Sequence, residues 1–195
     1  MNTPFTAIVY HSGYGHTEVL AQAVERGAAK AGKTALIKIS PEGKITDAEW
    51  ETLNAADAII FGAPTYMGSA SGPFKMFADA SSGAWFKGAW KDKIAGGFTN
   101  SYSLSGDKLA TLQQMSILAA QHGMLWVSTG LPAAQKKDAD HNRDENDLNR
   151  LGRFLGVMAQ SENAGPEITP PQGDQKTGEH YGERIATFAG KLKAA

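Results

Sequence analysis

The chain has 195 residues, 42% of them hydrophobic, a formal net charge of −1 and no cysteine. This is enough apolar material for one domain over 1–195 with a full core. The mixed charges exclude a basic face for nucleic acid and a polybasic arm for anionic lipid, and the missing cysteines exclude disulfides, thiolate metal sites and cysteine nucleophiles. No metal centre is expected. No apolar run approaches the ~20 residues of a membrane span. The first strand begins within about five residues of the N-terminus, with neither the basic nor the apolar region of a secretory leader, so a cytoplasmic protein is expected.

Taken in order, Ala7 to Tyr10 is a short run of strand formers. It enters the loop His11-Ser12-Gly13-Tyr14-Gly15-His16-Thr17, which opens into a helical pattern with Leu20, Val24, Gly27, Ala28 and Ala31 in step. Gly13 and Gly15 let the backbone curl close to a ligand, Ser12 and Thr17 offer hydroxyls, and the first N–H groups of a helix have no internal partner. Together these form a site for a phosphate. No Lys or Arg lies between His11 and Glu18, so attraction rests on hydrogen bonds of roughly 1.5–3 kcal/mol each to a charged group. The helix dipole adds about 0.3–1 kcal/mol. Gly32-Lys33-Thr34 lacks the strand and the preceding Gly of a nucleoside-triphosphate loop. The run Gly13-x-Gly15-x-x-Glu18 lacks the third Gly of the dinucleotide fingerprint. A mononucleotide fits better.

Thr34 to Ile39 reads as a second strand, Asp47 to Ala55 as a short acidic helix, and Ala58 to Gly62 as a strand buried on both faces. Alternating strands and helices predict a parallel sheet with crossovers. A second polar loop follows, Ala63-Pro64-Thr65-Tyr66-Met67-Gly68-Ser69-Ala70-Ser71-Gly72-Pro73, before a helix with Phe74 and Phe77 facing the core. Ile94 to Phe98 is a fourth strand with a third loop, Thr99-Asn100-Ser101-Tyr102-Ser103-Leu104-Ser105-Gly106. A helix over about Asp107 to His122 follows, and Leu125-Trp126-Val127 starts a fifth strand. In a sheet ordered 2-1-3-4-5 the three loops are neighbours at the switch point. Beyond Thr129 a charged excursion spans Lys136 to Asn149, Leu148 to Met158 has helical spacing, and Thr177 to Lys193 reads as a closing helix with Tyr181, Ile185, Phe188 and Leu192 inward.

Three stretches, Tyr10 to Thr17, Phe61 to Gly68 and His122-Gly123-Met124, in this order and spacing resemble the flavodoxin-like proteins and, within them, the WrbA-type NAD(P)H:quinone oxidoreductases, which bind FMN. The resemblance runs from Ala7 to about Thr129 and returns in the last helix. It implies an α/β flavodoxin-like fold, a five-stranded parallel sheet with helices on both faces. By it, Ser12, Tyr14, Gly15, His16 and Thr17, with Gly13 in the same loop, hold the FMN phosphate. Pro64, Thr65, Tyr66, Met67 and Gly68 run along one edge of the flavin ring, and Thr99, Asn100, Ser101 and Gly106 hold the other. His122 matches a catalytic histidine that commonly reaches a neighbouring subunit's site, and Trp85 matches an aromatic of the nicotinamide and quinone pocket, with Met67 beside it. A homodimer or homotetramer is implied. The activity implied is transfer of two electrons from NADH or NADPH to a quinone or similar small acceptor.

The chain departs from the family pattern in three places. Tyr66-Met67 stands where Arg-Phe is common, Asn100-Ser101-Tyr102 replaces a Gly-rich run, and Lys136 to Ser161 does not follow the pattern. The rival readings are a flavodoxin-type single-electron carrier, an FMN-dependent azo, nitro or flavin reductase, and a flavin-binding interaction protein. Single-electron carriers tend to be strongly acidic, which this chain is not. His122 has two readings, a proton donor to a quinone or a cationic cap at a helix C-terminus. Trp85, Phe86 and Trp90 either wall a pocket or meet a partner subunit.

Overall fold

The structure, a computed structural model, describes residues 3–134 and 144–194. Part of the charged segment, 135–143, lies outside the described residues. In chain order the elements are β1 (Phe5–Tyr10), α1 (His16–Ala29), β2 (Lys33–Lys38), α2 (Asp47–Ala55), β3 (Ala58–Tyr66), β4 (Ser69–Ala70), α3 (Gly72–Ala80), α4 (Ser82–Phe86), β5 (Ile94–Ser101), α5 (Lys108–Gln121), β6 (Leu125–Trp126), β7 (Val157–Gln160) and α6 (Gln172–Lys193).

The main sheet runs β2-β1-β3-β5-β6 with every pair parallel, and β4 folds back antiparallel on β3. Side chains alternate across it. Val9, Ile59 and Phe61 face one way, into a core with Leu53, Phe74, Phe77, Trp90, Leu112 and Met115 from α2 to α5. Ile8, Ile60 and Phe98 face the other way, against Leu20 and Val24 of α1 and Tyr181 and Ile185 of α6. α1 and α6 lie almost in backbone contact, because a Cβ on Gly27 would run into the Glu179 carbonyl and one on Gly182 into that of Val24. Leu192, read as inward, is exposed near the end of α6.

The order 2-1-3-4-5 is present, but its fifth position is filled by two pieces. β6 pairs with Ile94 and Ala95, and β7 pairs with Phe98 to Ser101. Between them the chain leaves the sheet at Val127, whose N–H still donates to Ala95 O at 2.9 Å, and returns at Val157. β7 therefore stands where helical spacing was read over Leu148 to Met158. The physical reason is its length: four residues buried almost throughout carry no alternation to set against the leucines before them. The excursion is tied down by the Arg150 guanidinium, which donates two hydrogen bonds of 2.8 Å to the Asp174 carboxylate. Asp174 is 2% exposed and also accepts from Gln160 N at 2.9 Å, so one carboxylate joins the excursion, the end of β7 and the start of α6. Among the described residues no helix is long and apolar enough to cross a membrane.

Candidate flavin-binding cleft

The C-terminal ends of β1, β3, β5 and β7 surround a cleft of about 520 Å³. Its walls are Tyr14, His16 and Thr17 from the first loop, Pro64, Thr65 and Tyr66 from the end of β3, Asn100, Ser101 and Tyr102 from β5 and its loop, and residues 161–166 after β7. Sequence reasoning missed this fourth wall. Its signal was there, since Val157-Met158-Ala159 gives way to a small polar loop, Ser161-Glu162-Asn163-Ala164-Gly165, as the other strands do.

The first loop is shaped by Ser12. Its Oγ accepts hydrogen bonds from the N–H groups of Gly15 (3.1 Å) and Glu18 (3.2 Å), which leaves the hydroxyl proton for an outside acceptor. Gly15 is the N-cap of α1 in the left-handed region (φ 90°). The N–H groups of Tyr14, His16 and Thr17 have no partner among the described residues, so the loop presents donors at the positive end of a 14-residue helix. Among the described residues no Lys or Arg lines the cleft. Gly13 lies so close beneath Tyr66 that a Cβ would meet the phenol oxygen. Tyr66 in turn packs edge to face on Tyr14 at 6.2 Å between ring centroids, and burial raises its pKa above the usual 10.0.

Hydroxyl chemistry fixes the floor. Thr65 Oγ1 lies 2.8 Å from Thr99 Oγ1 and 2.7 Å from Thr111 Oγ1, joining β3, β5 and α5 in a buried chain. Thr99 is fully buried in this chain, below the cleft rather than in its wall. His11 Nδ1 and Ser71 Oγ, 2.8 Å apart, tie the first loop to the start of α3. Burial, and then the charge of Lys38, lower the His11 pKa from 6.5. The fourth wall is held by Ser161, which donates to Asn100 Oδ1 at 2.8 Å, and by His16, whose Nε2 lies 2.8 Å from Ala164 O.

Met67 and Gly68 form the two-residue turn between β3 and β4, both at positive φ (49° and 81°). Such a turn favours Asn-Gly, and the Met67 side chain stands entirely exposed beside the cleft. Gly106 (φ 55°) packs on Ser101 at the base of the third loop. Of the residues read from sequence, those from Ser12 to Thr17, Pro64 to Gly68 and Thr99 to Gly106 thus gather at this end of the sheet.

His122 and Trp85 lie elsewhere. His122 follows α5 and stands near the start of β5, whose eight residues put its two ends roughly 23 Å apart. There α3, α4 and α5 frame a second hollow of about 470 Å³, lined by Trp85, Ile117, Leu118 and His122 among others. His122 is 6% exposed, its ring 4.2 Å from that of Trp90. Ser81 Oγ donates to Ala78 O at 2.7 Å, so it accepts from His122 Nε2 at 2.9 Å. That leaves Nδ1 bare, buried and without a partner among the described residues. Burial lowers the pKa of His122 below 6.5. His122 is the C-cap of α5, as one of its readings had it, but its burial disfavours the charged form on which a cationic cap depends. Trp90 is fully buried and donates to Asn54 Oδ1 at 3.0 Å, which makes it core, while Trp85 and Phe86 stay exposed.

A parallel 2-1-3-4-5 sheet with its cleft at the switch point defines a flavodoxin-like protein. Residues 11–138 match the NADPH-dependent FMN reductase family. Flavodoxin FldP of Pseudomonas aeruginosa is 45% identical over 96% of this chain and 97% of its own. An NAD(P)H dehydrogenase (quinone) of Geotalea uraniireducens is 31% identical over 95% of this chain and 97% of its own. The crystal structure of a WrbA-like flavodoxin from Agrobacterium tumefaciens superposes with a TM-score of 0.77 at 46% identity, covering 97% of this chain and 99% of that one. The chain belongs to the NADPH-dependent FMN reductase family and is a flavodoxin-like, WrbA-type protein.

Proposed function

We propose that the cleft binds FMN and that the protein passes two electrons from NADH or NADPH to a quinone or similar small acceptor. The observation that carries this reading is the Ser12 to Thr17 loop. It combines a hydroxyl with its proton to spare, N–H groups unpaired among the described residues and a helix N-terminus, beside a cleft that continues between Tyr66 and Tyr102. These donors suit a phosphate without a cation. Tyr66, Met67 and Gly68 would flank one edge of the ring, and Asn100, Ser101 and Gly106 the other. When bound, FMN supplies the hydride acceptance and electron transfer that no side chain here provides. The protein's part is to hold the ring, orient it and leave one face open.

The roles given to His122 and Trp85 require a second copy of the chain, because one copy keeps them at the far end of its own sheet. A homodimer or homotetramer that sets the hollow of one copy against the cleft of another would supply both residues. The exposed Trp85 and Phe86, 4.9 Å apart and edge to face, suit such a contact. A single-electron carrier is the second reading, favoured by the name of the 45% identical relative. Steady-state oxidation of NADH or NADPH with benzoquinone separates the two. Turnover with parallel double-reciprocal lines is expected for the oxidoreductase, and a flavin that is retained but barely turns over would favour the carrier.

A further inference from the structure

Lys108 stands where two general preferences oppose it. It is the first residue of α5, the helix end that disfavours a cation, and it is fully buried. Its ammonium donates to Ser101 Oγ at 2.9 Å, Ser103 O at 2.8 Å and Leu104 O at 3.0 Å. All three of its protons are thereby used, and all three acceptors belong to one loop. Gly106 and Asp107, both left-handed (φ 55° and 54°), close that loop around the ammonium. Ser101 and Tyr102, at the start of the loop, wall the cleft.

We propose that Lys108 is a positioning residue for flavin binding: through its three hydrogen bonds, its charged side chain holds the 101–106 loop in the shape that walls the cleft. The inference rests on the reading of the cleft as an FMN site. Lys108 touches neither the cleft space nor, by this placement, the flavin, and acts through Ser101 and the two carbonyls. A neutral amine has two protons, so deprotonation leaves one acceptor of the loop unheld.

The charges facing Lys108 are Asp174 from α6 and Arg150 and Arg153 from the segment before β7. Burial, helped by the two arginines and opposed by Asp174, brings its pKa down from 10.5 to about 8. This sets two pH dependences of opposite sign. Between pH 8 and 10.5 the unfolded chain binds more protons at this group than the folded one, so the free protein gains stability as pH rises. FMN binding, which needs the ammonium, weakens over the start of the same range.

The test is FMN affinity, read from flavin fluorescence quenching between pH 7 and 9, with thermal stability of the free protein alongside. The second pKa of the FMN phosphate lies near 6, below the window, so its charge changes little between pH 7 and 9. The wild-type protein should lose affinity about 10-fold from pH 7 to 9. Lys108→Met should bind FMN at least roughly 10-fold more weakly, with a flat profile. The chain has no other cysteine, so Lys108→Cys, alkylated with 2-bromoethylamine while unfolded and then refolded, restores an ammonium at lysine length. It should regain both affinity and pH dependence. Wild-type binding that is flat over this range, or Lys108→Met binding like wild type, overturns the proposal. A wild-type protein that binds no FMN at any pH overturns instead the reading of the cleft on which it rests.

Discussion

At the C-terminal ends of its strands the protein gathers hydroxyls and free N–H groups, while at the N-terminal ends it gathers rings. In the cleft Ser12, Thr65 and Ser161 are each engaged within the protein, Ser12 with its proton still available. In the hollow at the other end, His122 meets Trp90 on its face and Ser81 at one nitrogen, and has no partner among the described residues at the other. One end is organised around polar groups awaiting a polar ligand. The other buries an unpartnered His122 Nδ1 beside aromatic rings, under a hollow that Trp85, Ile117 and Leu118 help to line. The difference follows from topology, because loops leaving the strands collect helix N-termini, and loops entering them collect helix C-termini and core aromatics.

This contrast can be broken from either side. The largest effect is expected at the clip holding the fourth wall. Arg150→Met would leave Asp174 buried without the guanidinium that does most to favour its ionised form, costing about 3–5 kcal/mol of stability in denaturant unfolding. Ser12→Ala removes the capping acceptor and the outward donor together. It should weaken FMN binding roughly 10- to 100-fold and lower stability by about 1 kcal/mol. If affinity is unchanged, the cleft does not take its phosphate at this loop.

The hollow should reveal itself in acid. His122 has a folded-state pKa below 6.5, so the folded protein binds fewer protons than the unfolded chain, and stability present above pH 6.5 is lost as pH falls through that window. His11 and His180 shift the same way for the same first cause, burial. His122→Asn should flatten part of this acid limb in thermal melts while leaving FMN affinity in place. Salt should do least. With no Lys or Arg among the described residues of the cleft wall, raising ionic strength from 0.1 to 0.5 M is expected to change FMN affinity less than about threefold.

The first half of the molecule was legible because its signals are local. α2 runs from Asp47 to Ala55 as read, behind the capping box in which Thr46 accepts from Glu49 N and the Glu49 carboxylate accepts from Thr46 N. The Ser12 to Thr17 loop announces itself as strand, glycines and helix start. β3 was read too short, since Pro64 argues against a strand, yet it pairs with Asn100 at the end of the ladder, where its missing N–H matters least. The split fifth strand was not legible, because its halves are joined by pairing to β5 rather than by any local pattern. Lys108 was hidden for a similar reason: its partners are set by how one loop curls, and a lysine at a helix start reads as surface. For His122 the residue was visible in sequence, but its separation from the cleft within one chain needed the fold.

The two-piece fifth strand also sets an order of events. Residues 3–126 contain β1 to β6 and most of one side of the core, but the fourth wall arrives only when Val157–Gln160 docks on β5 and α6 closes over α1. A chain emerging from the ribosome thus has its Ser12 to Thr17 loop long before it has all four walls of the cleft. If the cleft holds FMN as proposed, its retention depends on the last segments to be made, and a cut in the excursion is expected to release the flavin first.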